Sequence, residues 1–496
     1  MSAKKDSPNI VIVVMDCMRA DVFDEMVSDG KSTPFLSSLR DEVLRFSRAV
    51  APASWTTPSH ASLFTGLYPW VHGAHYKSGA VLTSEAETLA GFLRHSGYST
   101  ASLSANGHIQ PATGLTRGFE FVKWGGSREV YFRFLRERGP SCPDLSDPGT
   151  LELNLDPWMF PIFDIGLKVV AGIPQLWTDL NRLGAKLLDY SSPNLSVAPW
   201  IERHLETWLS CQASSRPVFV FVNLLEAHEP YLCDSGTPLS FPRWISNFRL
   251  RQSSGLWLRG LWEPSSRELD WARHAFRRSL VTMDGRLRRI VDVLAQHGRW
   301  ENTLFVLTSD HGQAFLENGT LYHQLRVDEP ITRIPLWIRA PGARIRGQRD
   351  KRWVSLVDIP RTAASLVGRG SFGDRESLSL LEPEDGVVDR PVYSMTDGLG
   401  REQVSEIPPE RRVYLDRIEV AAYQGNVKAI ADTTRNVRLF DVSESGPLAV
   451  PPSLQDDPKK NPVAELSLKA LDLATSGIAS RPYQDSVKRR LAGWGY

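Results

Sequence analysis

The 496-residue chain has few cysteines, no excess of either charge and no long apolar run. Its four cysteines, Cys17, Cys142, Cys211 and Cys233, are spaced too widely for a disulfide framework or a zinc pattern. Lys and Arg number 58 against 57 Asp and Glu, a net charge of +1, so no global field draws the chain to nucleic acid or to an anionic membrane. The local basic runs Arg286–Arg289 and Lys488–Arg490 read as solvated helix faces. Residues 1–9, MSAKKDSPN, lead straight into an apolar strand, without the apolar core or cleavage site of a signal peptide. Ile10–Met15 is too short to cross a bilayer. Pro157–Trp177 is apolar but interrupted by Asp164, Lys168 and two internal prolines. The expectation is a cytoplasmic protein with no transmembrane segment and no nucleic-acid partner. No internal repeat and no low-complexity segment is found.

What is present is a chain long enough to bury a large core and hold more than one folding unit. Ile10–Met15, Val218–Leu225 and Thr303–Leu307 are apolar, β-branched runs that suit central strands of a parallel sheet covered on both faces. In open α/β sheets, sites gather beyond the carboxyl ends of such strands. The first run ends at Asp16, which suits a metal ligand or a helix N-cap. The second ends in Glu226-Ala227-His228-Glu229-Pro230-Tyr231, where His228 is either functional or a structural histidine beside a proline turn. The third runs into Ser309-Asp310-His311-Gly312, pairing a hard oxygen with an imidazole, as divalent cations such as Mn²⁺ or Zn²⁺ prefer. Between the first two lies Ala53–Gly73, ASWTTPSHASLFTGLYPWVHG. It sets Thr56 two positions before Pro58 and ahead of a helix expected to begin near Ser59, with Ser59 as its cap. A side chain there meets the positive helix end and its free N–H groups.

Further helices are expected within Ser32–Ala49, which then leads into a strand, and over Glu87–Gly97, Trp200–Leu209 and Arg267–His297, with a strand at Tyr98–Leu103. Short strands are expected at Pro391–Thr396, Arg412–Leu415, Val427–Ala431 and Val437–Phe440. Helices at Ala464–Thr475 and Gln484–Leu491 would close the chain.

Thr56, Pro58, Ser59, His60, Ser62, Leu63, Thr65, Gly66, Tyr68, Pro69, His72 and Gly73 fall without a gap on a known signature. The stretch resembles that of the sulfatase family within the alkaline phosphatase superfamily. Sulfatases carry Cys or Ser, oxidised to formylglycine, where this chain has Thr56, and Arg where it has His60. A threonine cannot give formylglycine; it is the nucleophile of some phosphodiesterases and phosphotransferases of the superfamily. Asp16 matches the first metal-binding Asp of sulfatases, and Cys17 stands at their second acidic position. The Ser309–Gly312 segment matches the family's metal motif, and His228 with its Pro-Tyr loop resembles the histidine that contacts the substrate anion. His323, ten residues before Arg333, matches a position that serves the anion or protonates the leaving group, and Val354–Leu366 resembles the family's last helix of the main domain. Ser104–His108 stands where formylglycine sulfatases carry Gly-Lys-Trp-His; the Lys is missing, Asn106 is expected at the substrate, and His108 reads as a surface-loop histidine.

The resemblance implies an α/β fold of the alkaline-phosphatase/sulfatase type, a central mostly parallel sheet flanked by helices with a small C-terminal antiparallel subdomain. Residues 1–384 would be catalytic, 385–445 the small subdomain, and 446–496 a linker with terminal helices. Residues 124–194 depart from the pattern as an insertion, either a lid or substrate wall or a hydrophobic contact surface. The implied activity is metal-dependent hydrolysis of a sulfate or phosphate ester of a small molecule, saccharide or lipid. Asp16, Thr56, Asp310 and His311 would hold one divalent ion, Ca, Mn, Mg or Zn, with no formylglycine. Thr56 would attack and form a covalent intermediate, His323 would act as the acid, and His228 and His60 would hold the anion. A phosphodiesterase or phosphotransferase is the alternative, and a non-catalytic binding protein that kept the fold is the second.

Overall fold

Strand β1 (Asn9–Met15) sends Val11, Val13 and Met15 into one core and Ile10, Ile12 and Val14 into another. A strand apolar on both faces belongs in the middle of a sheet covered on both sides, and β1 lies there. The computed structural model describes residues 7–75, 80–124, 200–229, 231, 257, 258, 260, 263–323, 325–342, 347, 349–368, 372–374, 377–382, 389–397, 407–412, 417–443 and 461–479. β2 (Leu44–Val50), β3 (Ser99–Ser104), β4 (Phe121–Trp124), β5 (Val218–Leu224), β6 (Thr303–Thr308), β7 (Ala314–Phe315), β8 (Leu321–Tyr322), β9 (Leu336–Arg339) and β10 (Arg349–Ser355) follow. The large sheet has the order β10-β2-β9-β6-β1-β5-β3-β4, with β9 antiparallel to both its neighbours and every other pair parallel. β7 and β8 form a separate two-stranded ribbon.

One face of the sheet is closed by the Ser266–Gln296 helix, which buries Phe276, Leu280, Met283, Leu287, Ile290 and Leu294 at steps of three and four, one stripe of a 3.6-residue helix. Its start is fixed by a capping box between Ser265 and Glu268. The other face is closed by the helices Thr56–Thr65, Leu89–His95 and Asp358–Leu366. Beyond it, β11 (Val392–Thr396), β12 (Glu419–Gln424), β13 (Val427–Asp432) and β14 (Val437–Asp441) make an antiparallel sheet packed on the Pro462–Ala479 helix. Among the described residues, no helix is long and apolar enough to cross a membrane.

Four expectations change. The signature helix starts at Thr56, not near Ser59; Trp55 is the N-cap, and Ser59 Oγ donates to Ala53 O at 3.0 Å instead of capping. Val354 and Ser355 end β10, and the following helix begins at Asp358, whose carboxylate accepts from Ser355 N at 2.8 Å. Arg412 closes a short helix, Pro409–Arg412, while residues 413–415 of the expected strand lie outside the described residues, and the strand that precedes β13 is β12, whose two central alanines weaken its β signal. Arg286 is not solvated but fully buried, paired with Glu202 and Glu226. The expected insertion beyond Trp124 and the helix at Gln484–Leu491 lie outside the described residues.

Candidate active site

The order β6-β1-β5-β3 sets the carboxyl ends of four adjacent parallel strands side by side, and each delivers one part of the site. β1 delivers Asp16 and Cys17, β6 delivers Asp310 and His311, β5 leads into His228 and Glu229, and β3 into Asn106. β2 leads through a short loop to Thr56, the first residue of its helix. Gly312 follows His311 because a Cβ there would meet Pro330 O at 2.1 Å, and Gly66 ends the Thr56 helix at φ 69° against Gly373.

The inner part is closed from solvent. Asp16, Asp310 and His311 are fully buried, and Thr56 is 3% exposed. Thr56 Oγ1 lies 3.4 Å from His311 Nε2 and 3.5 Å from Asn106 Nδ2. Asn106 Nδ2 also donates to Asp16 Oδ2 at 2.8 Å, and Asn223 Nδ2 donates to the same oxygen at 3.2 Å. Asp310 Oδ1 accepts from Cys17 N at 3.2 Å and His311 N at 2.9 Å. Asp310 Oδ2 is buried without a hydrogen bond, 3.3 Å from His311 Nε2 and 3.5 Å from His60 Nδ1. His60, expected at the anion, is fully buried and directs Nδ1 to Thr56 O at 2.9 Å, which makes it a support for the backbone of the first helical residue.

Hydrogen bonds to carbonyls decide the tautomers, because a carbonyl can only accept. His311 Nδ1 faces Gly312 O at 3.0 Å and His228 Nδ1 faces Glu229 O at 2.8 Å. Gln313 gives its amide N–H groups to Glu229 Oε2 and Tyr231 Oη, both at 2.9 Å, so its oxygen faces His323 Nδ1, also at 2.9 Å. In the neutral form of each of the three imidazoles Nδ1 therefore carries the proton, and Nε2 presents a lone pair. Metal-binding histidines are held in this way.

Electrostatics agree. Burial, then the neighbouring Asp16 charge, pushes the Asp310 carboxyl up to about 7. Burial also raises Asp16, but the imidazoles of His228, His311 and His60 and the Asn106 amide outweigh it and hold this carboxyl below its usual range. Burial, with the neighbouring imidazoles, pushes His323 well below the usual histidine value and lowers His108 to about 4. Two buried carboxyls of which one holds a proton, an orphaned oxygen and an inward imidazole lone pair form a donor set that a divalent cation fits: it would displace that proton and take the free oxygen.

The structure brings Asp16, Thr56, His60, Asn106, His228, Asp310, His311 and His323 to one sheet edge. His108 belongs with them: half-buried, it meets Thr57 Oγ1 at 3.3 Å and the Trp55 ring edge-on, so it is not a surface-loop histidine. Sequence reasoning also passed over Cys17, Asn223, Glu229 and Gln313 as contributors. Their signal was position alone, within β5 or within two residues of an expected site residue, Asp16, His228 or His311.

The fold and site define a class: a mixed α/β protein of the alkaline phosphatase superfamily with buried carboxylates and imidazoles gathered at the carboxyl edge of its mostly parallel sheet. Residues 8–369 match the sulfatase family, and the chain belongs to it, a family of ester hydrolases. The chain is similar to an arylsulfatase of Clostridium perfringens, 21% identical over 77% of this chain and 79% of the relative. It is also similar to a choline-sulfatase of Rhizobium meliloti, 25% identical over 93% of this chain and 85% of the relative. Among solved structures it resembles a phosphonate monoester hydrolase of Agrobacterium radiobacter, with TM-score 0.62, 18% identity and coverage of 95% of this chain and 96% of that one.

Proposed function

We propose that this chain is a metal-dependent hydrolase of sulfate or phosphate esters in which unmodified Thr56 is the nucleophile. One observation carries the reading: the Thr56 hydroxyl stands at a helix N-terminus, 3.4 Å from His311 Nε2, beside the buried Asp16–Asp310 pair. Asp16, Asp310, His311 and the Thr56 oxygen hold the cation, Mn, Mg, Zn or Ca. When bound, the cation neutralises the paired carboxylates and makes the threonine hydroxyl more acidic.

Thr56 Oγ, its proton released to solvent, then attacks phosphorus or sulfur in line, and the bond to the leaving alcohol oxygen breaks. His323 gives that oxygen its proton; burial keeps its ring neutral in the free chain, and an anionic ester beside it raises its pKa. His228 and the free N–H groups of the first helical turn hold the anionic oxygens. His60 and Asn106 position Thr56, with Asn106 also reaching the substrate. Water resolves the ester on Thr56 in a hydrolase, and an acceptor alcohol in a phosphotransferase. Thr56 favours phosphoryl over sulfuryl transfer, because no aldehyde hydrate can form there to expel sulfate. A small-molecule, saccharide or lipid phosphodiester is therefore the second reading. A binding protein without turnover is disfavoured, since all four donor positions are filled.

Initial rates on an aryl sulfate, an aryl phosphate and a bis-aryl phosphodiester, with metal-stripped protein reloaded with single cations, test this. We expect the diester to turn over fastest, with Mn²⁺ or Zn²⁺. Fastest turnover of the sulfate would remove the phosphoryl preference, and no turnover of any of them would sink the hydrolase reading.

A further inference from the structure

The small antiparallel sheet walls a cleft that the chemistry at Thr56 does not use. β13 and β14 are paired so that Lys428 stands opposite Phe440 and Ile430 opposite Arg438. The alternate residues Ala429, Ala431, Val437 and Leu439 join the core under the Pro462–Ala479 helix. The other face is therefore a floor on which two cations alternate with two apolar side chains. Facing it are Asn318, from the turn between β7 and β8, and Arg326, Asp328 and Glu329, from the segment that follows His323. The space between is about 250 Å³, close to the lower bound of about 300 Å³ for small-molecule sites, so it takes one ring rather than an extended ligand.

The charges in this cleft balance. Buried Lys428 donates to Val327 O at 2.6 Å and to Glu329 Oε1 at 3.0 Å. Arg438 pairs with Glu419 at 2.6 Å, and Arg326 Nε lies 2.9 Å from Asp328 Oδ2. So paired, the lining has no net field to select an anion or a metal cation. What it lacks is a hydrogen-bond donor. Asp328 Oδ2 is buried and accepts no hydrogen bond, even with that guanidinium near, and such an oxygen is costly to leave unmet. Lys428 keeps a third N–H beyond its two bonds. An alkyl chain would bury these groups against hydrocarbon, which is unfavourable. A neutral ring with hydroxyls on its rim and C–H groups on its face meets all of them: one hydroxyl donates to Asp328 Oδ2, others accept from Lys428 and Arg438, and the C–H face lies on Phe440 and Ile430.

We propose that this cleft binds a neutral pyranose ring and that the ester cleaved at Thr56 is carried by a saccharide. The inference rests on the ester-hydrolase reading and names its substrate class. The link is the chain itself. Arg326 follows His323, the acid for the leaving oxygen, by three residues, so their Cα atoms are at most about 11 Å apart. A ring in the cleft is thus within a short oligosaccharide's reach of the ester.

Metal-stripped full-length protein, given no ester, tests the cleft apart from turnover. It is titrated with the methyl glycosides of glucose, galactose and mannose, and binding is read by saturation-transfer NMR and calorimetry. We expect at least one of them to saturate the protein with Kd on the order of 1 mM, as a single ring allows. Asp328→Asn and Phe440→Ala should each weaken binding by about 10-fold or more. Should either fold poorly, Asn318→Ala, at a half-buried turn position, should weaken it by roughly 5-fold. Thr56→Ala should bind the glycoside as the parent does. No saturation by any of the three at roughly 50 times that concentration, unchanged affinity in the cleft variants, or displacement by an equal concentration of inorganic phosphate would overturn the proposal. Turnover of an aryl ester by a protein that binds no glycoside would keep the hydrolase reading and end this one. A glycoside held by a protein that turns over no ester would keep the ring site and end the hydrolase reading.

Discussion

Two buried charge clusters sit near the carboxyl edge of the sheet, and they are built on opposite rules. In one, the guanidinium of fully buried Arg286 grips Glu202 with two bonds of 2.9 Å and also pairs with Glu226, tying two helices to the loop that carries His228. The fork-shaped cation satisfies both oxygens of Glu202 and one of Glu226, and Glu226 Oε2 stays without a hydrogen bond. In the other, Asp16 and Asp310 lie buried among imidazoles, with Asp310 Oδ2 and His60 Nε2 lacking any hydrogen bond. A buried cluster whose carboxylates face the chain's own guanidinium holds the fold, and one whose carboxylates face imidazoles instead is prepared for something that arrives from outside.

The largest effect should come from Thr56→Ala. It removes the one hydroxyl in the imidazole cluster placed to attack, so turnover should fall by roughly 10³-fold or more while the melting temperature stays nearly unchanged. Unchanged turnover would end the nucleophile assignment. Arg286→Met should do the reverse. It leaves Glu202 and Glu226 buried without their cation and should cost about 3–5 kcal/mol of stability, visible as an earlier unfolding transition. A variant that melts like the parent would mean that the two clusters do not differ in kind.

That contrast was only half legible beforehand. The apolar runs ending at Asp16, at His228 and at Asp310-His311 located the sheet edge, because a strand buried on both faces has a distinctive composition and its end is where chemistry collects. The signature was harder to read within itself. Ser62 and His72 look as reactive as Thr56, yet Ser62 Oγ meets His72 Nε2 at 3.0 Å inside the core, and Tyr68 stacks on Trp70. Arg286 read as solvated because Arg288 and Arg289 beside it are, and only the helix phase turns it inward to Glu202 and Glu226. Glu229 and Gln313 carry no pattern at all. Their roles come from a bond between loops 84 residues apart in sequence, which no local spacing records.

The finest test of the comparison is the pH dependence of the metal-stripped chain. In the imidazole cluster His108, His311 and His323 titrate below the usual histidine value, His108 at about 4. Between about pH 6.5 and 4 the unfolded chain therefore binds more protons at these rings than the native one, and stability falls as pH falls. Asp310 acts in the opposite sense. With its native carboxyl raised to about 7, the folded chain holds a proton that the unfolded chain releases above the ordinary carboxylate range. Its contribution is fully present below that range and is lost as pH rises through about 7, which partly offsets the histidine loss; His228, whose pKa is raised, adds to the offset. Asp310→Asn removes the offset together with the like-charge repulsion. The metal-free variant should thus be more stable than the parent at pH 8, by about 1–2 kcal/mol, and should lose stability more steeply between pH 7 and 4. Parallel curves for the two proteins, measured by chemical denaturation, would show that Asp16 and Asp310 do not share a proton and that the cluster is balanced after all.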